Sequence, residues 1–198
     1  MTKLALSCVG SAVPDKTVRE YWAVQKRLLP HANRCLESTH VTLISEWENS
    51  GSILNAAHNL GALYFDQGKM KEAEEMCLQA LAGYEKAWGP EHTSTLNTVN
   101  NLGALYLKRG KMKEAEEMYL RALAGKEKAW GPEHKQPLDT RYNLAAMYKE
   151  KSMFEEAAKH FELVVQGYTK VLGPENAETF EALNQLEKLV SLLGTLSS

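Results

Sequence analysis

Residues 82–92 read AGYEKAWGPEH, and residues 124–134 read AGKEKAWGPEH. The two stretches lie 42 residues apart and differ at one position. Extended outward, residues 59–100 overlay residues 101–142 without a gap, and 30 of 42 positions are identical. Residues 143–184 match the second copy at only 11 of 42 positions but keep its register, because Gly89, Gly131 and Gly173 each open a Gly-Pro-Glu. A fixed period of this length marks a stack of supersecondary units rather than one closed core. The divergent copy comes last, as expected of a terminal unit that has a like neighbour on one face only.

Each unit reads as two helices. Leu96, Val99, Leu102, Gly103 and Tyr106 recur at i, i+3, i+6, i+7 and i+10, which is one stripe of a helix. Gly110 ends that helix in the manner of a residue just past a C-terminus. The next helix carries Ala115, Met118, Tyr119, Ala122 and Leu123 on its inner face. Its early Glu114, Glu116 and Glu117 suit a positive helix N-terminus, and Lys126 and Lys128 suit a negative C-terminus. Trp130 closes the helix, Gly131-Pro132 turns the chain, and Thr93 or Ser94 is expected to cap the helix after the preceding elbow. Gly103, Ala115 and Ala122 are the small residues expected where helices cross closely. The expected fold is all-α: a right-handed α-solenoid of tandem helix-turn-helix repeats with helical caps. Units fall at about 50–91, 92–133 and 134–175, followed by a capping helix over 177–193, all within an array spanning 48–198.

These residues resemble the tetratricopeptide repeat (TPR). Its pattern sets a bulky residue, Leu-Gly and Tyr on helix A, then Ala, an aromatic and Ala on helix B. Here it reads Val99, Leu102, Gly103, Tyr106, Ala115, Tyr119 and Ala122. The first unit offers Ala57, Leu60, Gly61, Tyr64, Ala73, Cys77 and Ala80; the third offers Arg141, Leu144, Ala145, Tyr148, Ala157, Phe161 and Val164. The 42-residue period with a long helix B is similar to the kinesin light chain type of repeat. Upstream, YWAVQKRLLPHANRC at 21–35 resembles the junction segment of fungal NLR-like proteins, in which an NB-ARC or related NTPase precedes such an array. The sequence has no GxxxxGK[ST], so that resemblance implies the C-terminal sensor part alone, without its NTPase, or a short paralogue of it.

The N-terminal segment, 1–47, is expected to hold a capping helix over about 15–38 and a linker. Thr17 and Glu20 form a capping box ahead of an apolar stripe, and Pro30 is expected to kink the helix. Glu187 and Lys188 replace the packing Gly-Ala of helix A, which fits a solvated C-terminal cap.

The remaining features narrow the function. A formal net charge of −2 argues against a nucleic-acid partner. No apolar run approaches the roughly 18 residues that span a membrane. Cys8, Cys35 and Cys77 form neither a CxxC pair nor a zinc spacing, and read as buried small apolar side chains in a reducing compartment. LALSCVGSAV at 4–13 is too diluted by small and polar residues for a secretory leader, which points to the cytoplasm. Of the six histidines, His92 and His134 fall in the elbows, where Asn176 replaces them, and read as elbow caps or surface residues. No catalytic set, metal site or cofactor is expected.

The TPR resemblance implies a concave groove lined by helix A, on the face that packing leaves over. By register this face carries Asn55, His58, Asn59, Ala62, Phe65 and Asp66 in the first unit. The second gives Asn97, Asn100, Asn101, Ala104, Leu107 and Lys108, and the third Asp139, Tyr142, Asn143, Ala146, Lys149 and Glu150. Asn59, Asn101 and Asn143 form a ladder. A row of side-chain amides pairs with the main chain of an extended peptide, or else ties neighbouring helices together. Between the near-copies, 4 of 6 groove positions differ but only 8 of the other 36. The expected function is non-enzymatic binding of a peptide or protein segment in the groove. The alternative is a self-associating scaffold, with a homo-oligomer as its product.

Overall fold

The computed structural model describes residues 51–196. The expected helix over 15–38, its linker, Cys8 and Cys35 lie outside the described residues. Among those described, the chain is all-α, with seven helices: α1 (Gly51–Asp66), α2 (Met70–Trp88), α3 (Thr93–Lys108), α4 (Met112–Trp130), α5 (Lys135–Glu150), α6 (Phe154–Val171) and α7 (Ala177–Leu196). No described helix is long and apolar enough to cross a membrane. The chain divides into two compact units, Met1–Leu105 and Tyr106–Ser198.

In the first unit α1 packs on α2. Leu54, Leu60, Leu63 and Tyr64 of α1 and Ala73, Met76, Cys77, Ala80 and Tyr84 of α2 are all buried. The contact is close because Gly83 has no side chain. A Cβ there would stand 2.1 Å from Leu54 Cδ2. In the second unit α4 packs on α5, α5 on α6, and α6 on α7. Leu138, Val164, Tyr168 and Ala182 form a core cluster with Tyr142, Val165 and Leu172 against it. Gly167 repeats the role of Gly83, with a Cβ falling 2.5 Å from Leu138 Cδ2. Ala115 and Ala122 are fully buried, as their spacing predicts. The sequence reading missed the seats at Gly83 and Gly167.

The turn inside each hairpin closes in one way. Lys69 N donates to Tyr64 O, Lys111 N to Tyr106 O and Met153 N to Tyr148 O, each at 2.9 Å. The residue before each donor is left-handed: Gly68, Gly110 and Ser152, with φ of 74°, 72° and 60°.

The elbows correct one expectation. Neither Thr93 nor Ser94 caps α3; both lie in its first turn. The residue ahead of them does it, for Ser94 N donates to His92 Nδ1 at 3.2 Å. Gln136 N donates to His134 Nδ1 at 3.2 Å, and Glu178 N to Asn176 Oδ1 at 2.8 Å. His and Asn are interchangeable here because each offers an acceptor one short side chain from the first free helical amides. The indole of Trp88 lies between Tyr84 and His92, with ring centroids 5.1 and 4.6 Å away.

The bulky register of the third repeat carries Arg141, which pairs with Glu127 and donates to His160 Nδ1 at 3.3 Å. The last helix also departs from expectation. Glu187 and Lys188 are exposed, as a solvated cap requires. Yet α7 also exposes Phe180, Leu183 and Val190, at 68%, 37% and 57%. Phe180 stands in the register of Leu54 and Leu138, which seat on the helix B glycines. Its helix is therefore a helix A with no helix B after it among the described residues.

Candidate functional site

The register residues of α1 and α3 meet within the first unit. His58 Nδ1 lies 2.9 Å from Thr98 Oγ1, and Asn101 Nδ2 lies 3.4 Å from His58 Nε2. The Thr98 hydroxyl proton goes to Ser94 O at 2.8 Å. Thr98 Oγ1 therefore accepts from His58 Nδ1–H, and His58 Nε2 is left to accept from the Asn101 amide. Burial pulls the His58 pKa below its ordinary 6.5, consistent with a neutral ring. The middle rung of the Asn ladder thus joins helix A of one repeat to helix A of the one before. Asn59 and Asn143 are half-buried, and both have partners.

Asn55 accepts from the Tyr84 hydroxyl at 2.6 Å. Phe65, Asp66, Asn97 and Asn100 are half-buried. In the second unit Lys108 and Glu150 are exposed, whereas Lys149 Nζ donates to Gln185 Oε1 of α7 at 2.6 Å.

Three predicted residues, Asp139, Tyr142 and Asn143, line one open cavity of about 420 Å³. Its other walls are Lys135, Tyr168 of α6, and Ala177, Glu178 and Glu181 of α7. The Tyr168 hydroxyl donates to Asp139 Oδ1 at 2.8 Å, repeating the Tyr84–Asn55 pair of the first repeat. Burial, then the hydrogen bond to Asp139, push the Tyr168 pKa far up. Lys135 Nζ bridges Asp139 Oδ1 at 2.9 Å and Glu178 Oε2 at 2.8 Å. Burial alone lowers its pKa, but the bonds to Glu178 and Asp139 outweigh that and raise it. From α4, the buried Lys126 adds its field to Asp139; burial pushes its amine down to about 8 despite that carboxylate. Among the described residues no three His, Cys, Asp or Glu side chains are placed to hold a metal ion.

The α7 residues of this cavity were legible but unread. Glu181 lies 42 residues after Asp139, in the same register of the repeat. Tyr168 was recoverable too, as the repeat of Tyr84.

Two models of the tetratricopeptide repeat match residues 52–128 and 138–178, together more than half of the chain. The chain belongs to the tetratricopeptide repeat family. This TPR chain is also similar to solved structures. A kinesin light chain candidate of Podosopora anserina with nearly identical TPR-like repeats matches at TM-score 0.67 and 22% identity, over 97% of this chain and 86% of that one. A second structure of those repeats matches at TM-score 0.66 and 22% identity, with the same coverage. BtubC (BKLC) from P. vanneervenii matches at TM-score 0.56 and 16% identity, over 94% of this chain and 82% of that one. At such identities the likeness concerns the fold: an all-α solenoid of helical repeats. None of the curated proteins matches the chain. TPR arrays are in general scaffolds for protein–protein interaction and not catalysts.

Proposed function

We propose that this TPR array binds an extended peptide segment of a partner protein along the helix A face, without catalysis, in the cytoplasm. The observation that carries the reading is the cavity beside α5. Asp139, Tyr142 and Asn143 were assigned to the groove by register alone, and all three line one open cavity of about 420 Å³. That volume lies within the roughly 300–1,000 Å³ common for ligand sites.

The test is to pan the full chain against a random peptide library and measure captured peptides on Asn59→Ala plus Asn143→Ala. Binding is expected to weaken at least tenfold while the melting temperature stays within a few degrees. Failure to capture any peptide, or equal binding by the variant, counts against the reading. Asn101 is left out of the variant because its contact with His58 gives it a structural task.

One observation favours a second reading. The apolar face of α7, with Phe180, Leu183 and Val190 exposed, suits self-association into a scaffold, such as the sensor region of an NLR-like system. Light scattering with size-exclusion chromatography across a concentration series separates the two. A persistent 22.2 kDa monomer removes the scaffold reading, and a stable dimer favours it.

A further inference from the structure

The cavity beside α5 has a chemistry that selects among peptides. Its polar walls hold three carboxylates, Asp139, Glu178 and Glu181, and two tyrosines, Tyr142 and Tyr168. Two ammonium groups act on them, Lys135 at the rim and Lys126 from α4. Among the lining side chains three carboxylates face the one ammonium of Lys135, and Lys149 reaches Gln185 beside them without touching a carboxylate of the cavity.

The three carboxylates are not equally occupied. Asp139 takes both Lys135 and the Tyr168 hydroxyl, and Glu178 takes Lys135. Glu181 accepts only from the neutral amide of Gln185, at 2.6 Å, and among the described residues meets no cation. Glu181 is exposed and near Tyr142, whose pKa is raised first by burial and then by the Glu181 charge. The carboxylates are not placed to share a metal ion. The site already shows how it seats an organic cation: Lys135 Nζ lies between two carboxylates and 6.0 Å from the Tyr168 ring centroid. The half of the cavity next to Glu181 and Tyr142 repeats those components, an acid and an aromatic face, with no cation of its own.

We propose that this half of the cavity takes an arginine side chain of the partner peptide, with Glu181 and Glu178 receiving the guanidinium beside the Tyr142 ring. Arginine suits it better than lysine, because a planar guanidinium binds a carboxylate in a two-pronged manner and also lies on an aromatic face. The open cavity admits the aliphatic stem, and the partly exposed setting makes the attraction sensitive to salt. The proposal rests on the groove reading above and adds to it the charge and identity of one anchor.

The experiment is a chemical-shift titration of the full chain with blocked pentapeptides of glycine and serine around one central residue. That residue is arginine, lysine, citrulline or glutamate. The arginine peptide is expected to shift the amides of residues 139–143 and 177–181. Citrulline and glutamate peptides are expected to bind at least tenfold more weakly, and lysine between them. Glu181→Gln, an exposed change that leaves the Lys135 bridges in place, is expected to weaken arginine binding several-fold, and Glu178→Gln plus Glu181→Gln at least tenfold. No shifts at millimolar arginine peptide, equal shifts with the glutamate peptide, or unchanged binding in Glu181→Gln would overturn the proposal. The library experiment separates its failure from that of the groove reading. Captured peptides that need Asn59 and Asn143 but neither a basic residue nor Glu181 would leave the groove reading standing and end this one. Arginine-dependent shifts with no captured peptide would do the reverse.

Discussion

The His58 imidazole is held between two residues of the next helix A, giving its Nδ1 proton to Thr98 Oγ1 at 2.9 Å and accepting from Asn101 on Nε2. Protonation would turn Nε2 into a donor facing an amide donor. Burial lowers the His58 pKa, and burial with the Arg141 charge lowers that of His160, partly offset by Glu127 and Glu156. Both folded values lie below the ordinary 6.5, so the unfolded chain takes up protons first as the pH falls. Their contribution to stability is complete above 6.5 and declines below it. Melting temperatures recorded between about pH 8 and 5 are expected to fall on the acid side, and His58→Gln plus His160→Gln to flatten that slope. A wild-type melting temperature that is flat over this range would refute the assignment.

Ser152 holds the left-handed turn position that Gly68 and Gly110 hold in the other repeats, at φ 60°. A side chain in that conformation costs about 1–2 kcal/mol, against which glycine loses part in unfolded-state entropy. Ser152→Gly is expected to stabilise the chain by about 0.5–1 kcal/mol, and Gly110→Ser to destabilise it similarly. Urea titrations of both variants measure the pair, and a loss on Ser152→Gly contradicts the strain.

Lys126 is a buried amine, 3% exposed, in the register of Tyr84 and Tyr168. Burial lowers its pKa from 10.5 to about 8, with Asp139 acting the other way. Above about 8 the folded chain releases this proton before the unfolded chain does, so stability gains from Lys126 between about 8 and 10.5. Lys126→Tyr is expected to abolish that gain. It should also add about 1 kcal/mol at neutral pH, since a neutral phenol spares the desolvation of the charge. Denaturation at pH 7 and 9 tests both, and a destabilised variant at pH 7 counts against it.

Phe180 and Val190 place an apolar stripe on the outer face of α7. If copies associate through it, Phe180→Ser plus Val190→Ser is expected to return the chain to a monomer at concentrations where the parent is dimeric. The melting temperature should change little, because both side chains are already largely exposed. Sedimentation equilibrium of the two proteins decides the point, and a variant that still dimerises moves the interface elsewhere.

Much of the fold was legible because its signals are local. The stripe of Leu96, Val99, Leu102 and Tyr106 marks a helix within a few turns, and Gly131-Pro132 marks an elbow within two residues. Register placed Asp139, Tyr142 and Asn143 on one helix face, and the three line one cavity. At that elbow the sequence offered His92 as well as Thr93 or Ser94 as a cap, and only the structure decided for His92.

By itself the sequence determined the period, the helices and the faces they must bury, because helical spacing and chain breaks are properties of neighbouring residues. Only the tertiary structure decided which polar side chains meet: Asn101 with His58, Tyr168 with Asp139, and Glu181 with Gln185 and no cation. The first two pairs join helices across 43 and 29 residues of chain, and the second spans the α5–α6 contact that Gly167 keeps close. Register says which residues share a face. The crossing of the helices decides whether such a face closes on itself or stays open to a partner.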